Sequence, residues 1–337
     1  MTSPLHDRFD ALLFDLDGVV YVGRDPVAHA AEAIADARQA GLACAFVTNN
    51  AARSPQDVAT HLAELGIPAG PEDVVTSPQA AVTVLAGYVP PGSRVLVIGG
   101  GGIDDALAHR GYVPVRSLAD GPAAVMQGFS PDLSWADLAE ATYAVRAGLP
   151  WIATNPDLTF PTARGLAPGN GSLVQVVATA SGRQPDAVAG KPEPPLLHEA
   201  IVRTGARRPL MIGDRLDTDI AAGPPAGIPT LLVLTGVSTL DELFGAAPGE
   251  RPDYIGGDLR VLAEPYPVVA GTGVVTCGAW QARLIDDAVH ANGPDDRPWD
   301  GVRCVATLCW QATDAGQPAR WSGVARTLTA LAQALGE

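Results

Sequence analysis

Lysine is almost absent from this chain of 337 residues. Arginine carries the rest of the positive charge, and the single lysine, Lys191, lies in the stretch AGKPEPP, residues 189–195. A compact ammonium group on a flexible stem and a planar guanidinium group are not interchangeable at a crowded anionic site. From this stretch alone, two interpretations of Lys191 remain open. It is either a surface residue left by chance, since lysines usually lie at the surface, or a group retained for an anionic site.

Long apolar runs and a leader segment are also lacking. The sequence contains no run of about 18 apolar residues, and its first stretch, MTSPLHDRFD, has neither a basic nor an apolar region of the kind found in signal peptides. We therefore expect a soluble, cytoplasmic protein with no membrane partner. The formal net charge of −15 at pH 7 also disfavours nucleic acid as a partner. Small-molecule chemistry is the class that remains.

Cysteine is scarce as well. The four cysteines show neither CxxC pairing nor a histidine at metal-ligand spacing: Cys44, Cys277, Cys304 and Cys309. This scatter predicts neither a zinc site nor a disulfide framework. We expect four buried free thiols, because unpaired cysteine commonly packs as a small apolar residue.

What the sequence does contain is an alternation of short apolar runs and helical stretches. Residues 11–18 and 42–50 are predicted strands that end in polar residues, and residues 26–41 and 54–66 are predicted helices, the first beginning at Pro26. This alternation is typical of a parallel α/β sheet, which binds ligands beyond the carboxyl ends of its strands.

The same pattern returns further along the chain. Residues 208–214 and 228–236 are predicted strands, and between the two blocks lie further short strands and a helix over 134–148. An apolar fraction of 47% predicts a folded chain. The length suggests two domains or one domain with an insertion, and we expect a second α/β unit, from about 85 to 185, inserted into the first.

Polar side chains gather where the predicted strands end. The strand ends carry Asp15, Asp17, Thr48, Asn49 and Asp214. Asp219 lies five residues after Asp214, and Lys191 precedes a proline-rich segment that we expect at the same sheet edge. Carboxylates, one ammonium group and one hydroxyl group at one sheet edge suit a hard cation such as Mg²⁺ together with a phosphate group. Each pattern is common by itself, since a DxD pair caps loops, TNN forms turns and an aspartate favours a helix start. The order, strand context and spacing together favour the site.

These residues lie in stretches that resemble a known family. FDLDGVVY, FVTNN, GKPEP and GDRLDTDI are similar, in this order, to the four motifs of the haloacid dehalogenase (HAD) superfamily, and NNAARSP and TNPD to its NagD-type branch. That branch includes para-nitrophenylphosphatases, phosphoglycolate phosphatases and glycerol-3-phosphate phosphatases. The resemblance covers roughly residues 9–240. It implies a Rossmann-like parallel-sheet core with an inserted α/β cap of the C2 type.

The resemblance also implies roles for the motif residues. Asp15 would be the nucleophile that forms an aspartyl-phosphate, and Asp17 the general acid and then the general base. Thr48 and the backbone at Asn49 would hold the transferred phosphoryl group. Lys191 would bridge nucleophile and phosphate, which would make the single lysine catalytic.

A magnesium site and substrate contacts are implied in the same way. The implied Mg²⁺ ligands are Asp15, the Asp17 carbonyl and Asp214. Asp219 would orient this ligand shell. The cap would close over the site and exclude water, with Asn155 and Asp157 as candidate substrate contacts, although NPD is also a common turn. Arg215 is a further candidate, with a solvated arginine as the alternative.

Two features depart from the pattern of the branch. Ser130, in QGFSPD, replaces an aspartate of many relatives, which leaves the substrate contacts of the cap open. Pro224 and Pro225 follow the last motif and predict a very short or broken helix.

Residues 263–337 lie outside the resemblance and are predicted to form a small α+β appendage. The full predicted division is a core of residues 1–84 and 186–262, a cap of residues 85–185 and this appendage. The appendage is predicted to contain strands over 267–285 and a helix over 322–335, and to support folding or homo-oligomer assembly. RWSGVA (320–325) also fits an acyl-CoA loop pattern, R-x-x-G-x-A, so a second, acyl-CoA-linked role is the alternative.

The function implied by the resemblance is that of a Mg²⁺-dependent phosphatase for a small phosphate monoester. Glycerol 3-phosphate is favoured over 2-phosphoglycolate and sugar phosphates. Two other classes remain open. A phosphomutase would need to exclude water while a sugar phosphate turns over, and a non-catalytic phosphometabolite sensor would normally have lost Asp15 or Asp17, which are both present.

Overall fold

The structure is a computed structural model, and it describes residues 3–162 and 164–336. The chain divides into two compact units, Met1–Cys44 with Ala206–Glu337, and Ala45–Gly205. Within the described residues, no helix combines the length and the apolar character that a membrane span requires.

The strands and helices alternate over most of the chain. The strands are β1 (Ala11–Phe14), β2 (Tyr21–Val22), β3 (Asp25–Pro26), β4 (Ala43–Thr48), β5 (Val74–Thr76), β6 (Arg94–Ile98), β7 (Val113–Val115), β8 (Ala124–Gln127), β9 (Trp151–Ala153), β10 (Thr159–Thr162), β11 (Gly165–Pro168), β12 (Ala187–Val188), β13 (Pro209–Gly213), β14 (Thr230–Val233), β15 (Tyr254–Gly256), β16 (Val269–Ala270), β17 (Val274–Cys277), β18 (Trp280–Ile285) and β19 (Ala288–Asn292). The helices are α1 (Ala30–Gln39), α2 (Pro55–Glu64), α3 (Ser77–Leu85), α4 (Gly101–His109), α5 (Trp135–Arg146), α6 (Asn170–Ser181), α7 (Pro195–Thr204), α8 (Gly223–Ala226), α9 (Leu240–Phe244), α10 (Pro298–Asp314) and α11 (Ser322–Gly336).

The first unit is built on parallel strands in the order β15, β14, β13, β1. All four residues of β1 and all five of β13 are buried, as expected for strands covered on both faces. The amide of Asp15 donates to the Ile212 carbonyl at 2.8 Å. The pairing of β1 with β13 therefore places Asp15 and Asp214, the residues that follow these strands, at the same sheet edge.

The second unit contains a parallel pair, β4 with β5, and a five-stranded parallel sheet in the order β12, β9, β8, β6, β7. Apolar side chains of α5 and α6, among them Val145 and Val177, pack with Val125 and Trp151 on one face of this sheet. Parallel strands flanked by helices in both units confirm the predicted α/β fold class.

Helix boundaries follow capping chemistry where a polar cap is present. Ser54 and Ser134 each accept the backbone amide three residues on and are paired with an aspartate there, so α2 and α5 begin as predicted. The start of α1 was predicted wrongly. Pro26 pairs with Tyr21 in the β2–β3 hairpin, because proline suits an edge strand as well as a first helical turn, and α1 begins only at Ala30.

The helix after the fourth motif is short, as Pro224 and Pro225 predict. Leu216–Ile220 forms a π-helical turn, and α8 has only four residues, with both prolines inside its first turn. Proline lacks the amide hydrogen that continues a helix, so a helix accepts proline only in its first turn. The prediction of a very short or broken helix is confirmed.

The C-terminal residues form an α+β region within the first unit. An antiparallel sheet in the order β16, β17, β18, β19 packs with α10 and α11. The strands and α11 were predicted. Helix α10 was not, because its sequence contains two valines, two threonines and two cysteines, which are weak helix formers. Its stability comes from packing, since Val302, Cys304 and Val305 are completely buried.

This region shares one hydrophobic cluster with the parallel sheet. Leu232 and Ile255 of the sheet strands lie in the same buried cluster as Trp280 and Val302. The buried guanidinium of Arg303 donates to the Ile255 carbonyl at 3.0 and 2.8 Å. The C-terminal region is therefore part of the core of this unit.

Deletion of residues 265–337 is expected to lower the free energy of unfolding by about 5 kcal/mol or more, since Leu232, Phe244 and Ile255 lose their cover. We expect the Asp15 chemistry to persist per folded molecule. Urea unfolding followed by circular dichroism measures the loss. A truncated chain as stable as the full chain would contradict the shared core.

Two tryptophan variants provide a matched pair for the same point. Trp280→Ala removes a side chain that is 4% exposed, and Trp135→Ala one that is 79% exposed. We expect a loss of about 3–5 kcal/mol for Trp280→Ala and little change for Trp135→Ala. Equal effects would show that the cluster around Trp280 does not stabilise the fold.

A cavity of about 890 Å³ also lies in the first unit. Its wall carries basic side chains (Arg260, Arg326), acidic side chains (Asp241, Glu264) and the ring of Trp299. Gly323, in the R-x-x-G-x-A pattern, lies in the first turn of α11 with open space around it. The mixed charges of the wall indicate no single class of ligand.

All four cysteines are free and buried, which confirms the prediction. Burial raises the pKa of Cys309 to about 12, so its thiol stays protonated at neutral pH. We expect a thiol reagent such as Ellman's reagent to react only slowly with the native protein. After unfolding, we expect it to react with all four thiols. Rapid reaction of the native protein would show that a cysteine is accessible.

Candidate active site

Three carboxylates of the first unit form the centre of the candidate site. Asp15, Asp214 and Asp219 each offer an oxygen, and these oxygens lie within 4.8 Å of one another. Asp15 is half-buried, and the other two are buried. A cluster of carboxylate oxygens is the donor set preferred by hard cations, so these residues fit the predicted Mg²⁺.

The carboxylate of Asp219 also contacts the backbone at the end of β13. Its Oδ2 accepts the backbone amides of Asp214 at 3.2 Å and of Arg215 at 3.1 Å. The π-helical turn Leu216–Ile220 brings it back to the strand end. Gly213 makes room for it, because a Cβ at Gly213 would lie 2.1 Å from the Asp219 Cβ.

A tight turn follows Asp15. The Leu16 carbonyl accepts the amides of Val20 at 2.9 Å and Tyr21 at 3.2 Å, and the Gly18 amide donates to the Tyr21 carbonyl at 2.8 Å. Gly18 has a φ of 89°, which favours glycine. The turn leaves Asp15 half-buried at the strand end and Asp17 exposed, so the two carboxylates meet different environments.

In the second unit, the side chain of Asn49 holds the backbone of Lys191. Its Oδ1 accepts the Lys191 amide at 2.8 Å, and its Nδ2 donates to the Lys191 carbonyl at 2.9 Å. Nδ2 also lies 3.2 Å from both carboxylate oxygens of Asp157. The carbonyl of Asn49 accepts from Asn155 Nδ2 at 2.7 Å and from Ser77 Oγ at 2.8 Å.

Lys191 is only 2% exposed. Its Nζ lies 3.4 Å from the Val47 carbonyl, at the end of β4. A buried ammonium group is costly unless it is paired or neutralised, so the interpretation of Lys191 as a chance surface residue is wrong. Gly190 is required beside it, because a Cβ there would lie 2.5 Å from Asn49 Oδ1.

The remaining predicted residues are placed as follows. Thr48 Oγ1 accepts the Asn50 amide at 3.0 Å, and Asn155 is buried against Asn49. Arg215 forms an ion pair with Asp217 at 2.8 Å. Ser130 Oγ accepts the Asp132 amide at 3.3 Å, a local turn contact.

Sequence reasoning missed the side-chain role of Asn49, which it assigned only through its backbone, and the contact of Ser77. It also missed the loop after β14. The only signal was that the predicted strand 228–236 ends in Thr-Gly at the same type of edge as the aspartates.

Asn49→Ala is expected to lower the free energy of unfolding by about 2 kcal/mol or more, because it leaves two partly buried backbone groups of Lys191 without their partner. Asn50→Ala is the matched control, since Asn50 is exposed and its side-chain oxygen accepts the nearby Ala52 amide at 2.8 Å. Thermal unfolding measures both variants. Equal melting temperatures of the Asn49→Ala and Asn50→Ala proteins would contradict a stabilising role for the hydrogen bonds between Asn49 and the Lys191 backbone.

Comparison with known proteins agrees with this geometry. Residues 12–113 match a family described as haloacid dehalogenase-like hydrolase, and residues 188–262 match a HAD-hydrolase-like family. The chain is 48% identical to the D-glycerol 3-phosphate phosphatase of Mycobacterium tuberculosis over 91% of this chain and 87% of that protein. It is 37% identical to an acid sugar phosphatase of Staphylococcus aureus over 70% of this chain and 90% of that protein.

Solved structures give the same result. A glycerol phosphate phosphatase from Mycobacterium tuberculosis in complex with magnesium has a TM-score of 0.85 and 44% identity, covering 96% of this chain and 95% of that chain. A p-nitrophenyl phosphatase from Archaeoglobus fulgidus has a TM-score of 0.71 and 28% identity, covering 76% of this chain and 98% of that chain. With ordered motifs, fold and relatives in agreement, this chain belongs to the haloacid dehalogenase-like hydrolases.

Proposed function

We propose that this protein is a Mg²⁺-dependent phosphatase that hydrolyses a small phosphate monoester, with glycerol 3-phosphate as the favoured substrate. The observation that carries the proposal is the cluster of Asp15, Asp214 and Asp219, whose oxygens lie within 4.8 Å of one another. The choice of substrate is supported by the 48% identity to a D-glycerol 3-phosphate phosphatase over 91% of this chain.

In the proposed mechanism, a carboxylate oxygen of Asp15 attacks the phosphorus atom and the bond to the alcohol oxygen breaks. Asp17 donates a proton to the leaving alcohol. Asp17 then accepts a proton from the water that attacks the aspartyl-phosphate, which releases inorganic phosphate and restores Asp15. The exposure of Asp17 is compatible with this exchange of protons with an alcohol and with water.

Other residues serve this chemistry through charge and position. Asp15, the Asp17 carbonyl and Asp214 would hold Mg²⁺, and Asp219 would orient or complete that set. When bound, the cation offsets the negative charge of carboxylates and phosphate during transfer. Thr48, the Asn49 backbone and Lys191 are proposed to bind the phosphoryl group.

The proposal also assigns substrate contacts, domain boundaries and a cellular location. Asn155, Asp157 and Arg215 are the proposed substrate contacts, although Asp157 and Arg215 also have protein partners at 3.2 and 2.8 Å. We propose residues 1–84 and 186–262 as the core and 85–185 as the cap. We also propose a cytoplasmic location, a small phosphometabolite as the partner, and a C-terminal region that supports folding or homo-oligomer assembly.

A panel of phosphate esters compared by kcat/KM tests the substrate. With Mg²⁺ present, glycerol 3-phosphate is expected to exceed 2-phosphoglycolate and sugar phosphates. A clear preference for phosphoproteins or nucleic acids would contradict the proposal. Product analysis separates a phosphatase from a phosphomutase, and the absence of phosphate release from every ester would favour a binding protein.

A further inference from the structure

The loop that follows β14 encloses Asp214. We call residues 235–238, with the sequence TGVS, the Asp214 cradle. The Val237 amide donates to Asp214 Oδ2 at 2.7 Å, and the Ser238 amide donates to the Asp214 carbonyl at 3.1 Å. The cradle therefore holds both the side chain and the backbone of this residue.

The cradle also contacts the chain just after Asp214 and the turn that follows β1. Ser238 Oγ accepts the Leu216 amide at 3.1 Å, so it holds the chain just after the aspartate. Thr235 Oγ1 donates to the Gly18 carbonyl at 2.5 Å. This bond joins the cradle to the turn that carries Asp17, so one loop ties the ends of β1 and β13 together.

Two glycines form the walls around the carboxylate. A Cβ at Gly236 would lie 2.0 Å from Asp214 Oδ2, and a Cβ at Gly18 would lie 2.4 Å from the same atom. The backbone at both glycines therefore lies so close to this oxygen that no residue with a Cβ fits at either position unless the carboxylate moves. Even a methyl group at either position would displace the carboxylate.

From these contacts we infer that the Asp214 cradle is a positioning device for the metal site. The Asp214 carboxylate is held in one orientation before a cation binds. It accepts a charge-assisted hydrogen bond from the Val237 amide, and the nearby Gly18 and Gly236 restrict its movement. Groups that orient a ligating side chain typically change metal affinity about 10- to 100-fold when they are removed. The inference rests on the proposed function in one respect, since it takes Asp214 as a Mg²⁺ ligand.

The test measures Mg²⁺ binding to the substrate-free, full-length protein by isothermal titration calorimetry. Gly236→Ala is expected to weaken Mg²⁺ binding by about 10-fold or more, because the added methyl group displaces Asp214 Oδ2. Gly249→Ala is the matched control, since a Cβ there meets nothing within 4 Å. It is expected to bind Mg²⁺ like the wild-type protein.

A second pair keeps the inference testable if Gly236→Ala fails to fold. Thr235→Val removes the hydroxyl that donates to the Gly18 carbonyl, and Thr235→Ser retains it. Weaker Mg²⁺ binding in Thr235→Val, restored in Thr235→Ser, supports positioning through this bond. Equal Mg²⁺ binding by Thr235→Val and the wild-type protein would overturn the inference, as would unchanged binding by folded Gly236→Ala.

The outcomes separate this inference from the proposed function. A wild-type protein that binds Mg²⁺ but releases no phosphate defeats the phosphatase proposal, while the cradle variants still decide the inference. A wild-type protein that releases phosphate, together with cradle variants of unchanged Mg²⁺ affinity, defeats the inference alone. A wild-type protein that binds no Mg²⁺ defeats both.

Discussion

Asp15→Asn is expected to abolish the release of phosphate from para-nitrophenyl phosphate, with kcat lowered by at least about 10⁴-fold. The amide that replaces the carboxylate is not a nucleophile, so no aspartyl-phosphate forms. The change also removes one of the three carboxylates whose oxygens cluster within 4.8 Å. Chemistry and cation binding are therefore lost together.

Two comparisons make this result specific. Asp25→Asn removes the same charge from an exposed position in β3 and is expected to keep full activity. A chelator added to the wild-type protein is expected to stop phosphate release, and excess Mg²⁺ is expected to restore it. Undiminished turnover by Asp15→Asn, or by the wild-type protein in chelator, would refute an Asp15-based, metal-dependent mechanism.

Lys191→Arg is expected to lower kcat by about 100-fold or more although the positive charge is retained. Lys191 is one of the largest buried side chains, and both its backbone amide and its backbone carbonyl are hydrogen-bonded to the Asn49 side chain. A longer, planar guanidinium cannot take the place of the ammonium group without overpacking the site. The group that meets the phosphate would therefore be misplaced.

The matched control is Arg110→Lys, at an arginine whose side chain is 59% exposed. We expect this reverse exchange to leave kcat and the melting temperature unchanged, because a largely exposed cation that pairs with Glu199 at 3.8 Å tolerates either head group. Kinetics and thermal unfolding of both variants separate a catalytic loss from a loss of folding. A rate near that of the wild-type protein for Lys191→Arg would show that the buried lysine does not act in the reaction.

Local patterns along the chain predicted most of the architecture. The strands that end in Asp15, Thr48 and Asp214 are short buried apolar runs, and the helix starts at Ser54 and Ser134 follow a local capping pattern. Such features depend on neighbours in the chain. The start of α1 was wrong because Pro26 satisfies two local structures equally well, and only its pairing with Tyr21 decides between them.

The sequence by itself determined the family, the parallel α/β fold and the order of the chemical groups, because ordered motifs and strand periodicity are properties of neighbouring residues. Only the tertiary structure decided how those groups are held. Asn49 reaches Lys191 across 142 positions of the chain, and Val237 reaches Asp214 across 23. The burial of Lys191, the Asp214 cradle and the core shared with α10 all depend on contacts between distant segments. No local pattern encodes such contacts, because packing and backbone approach are settled only when the segments meet.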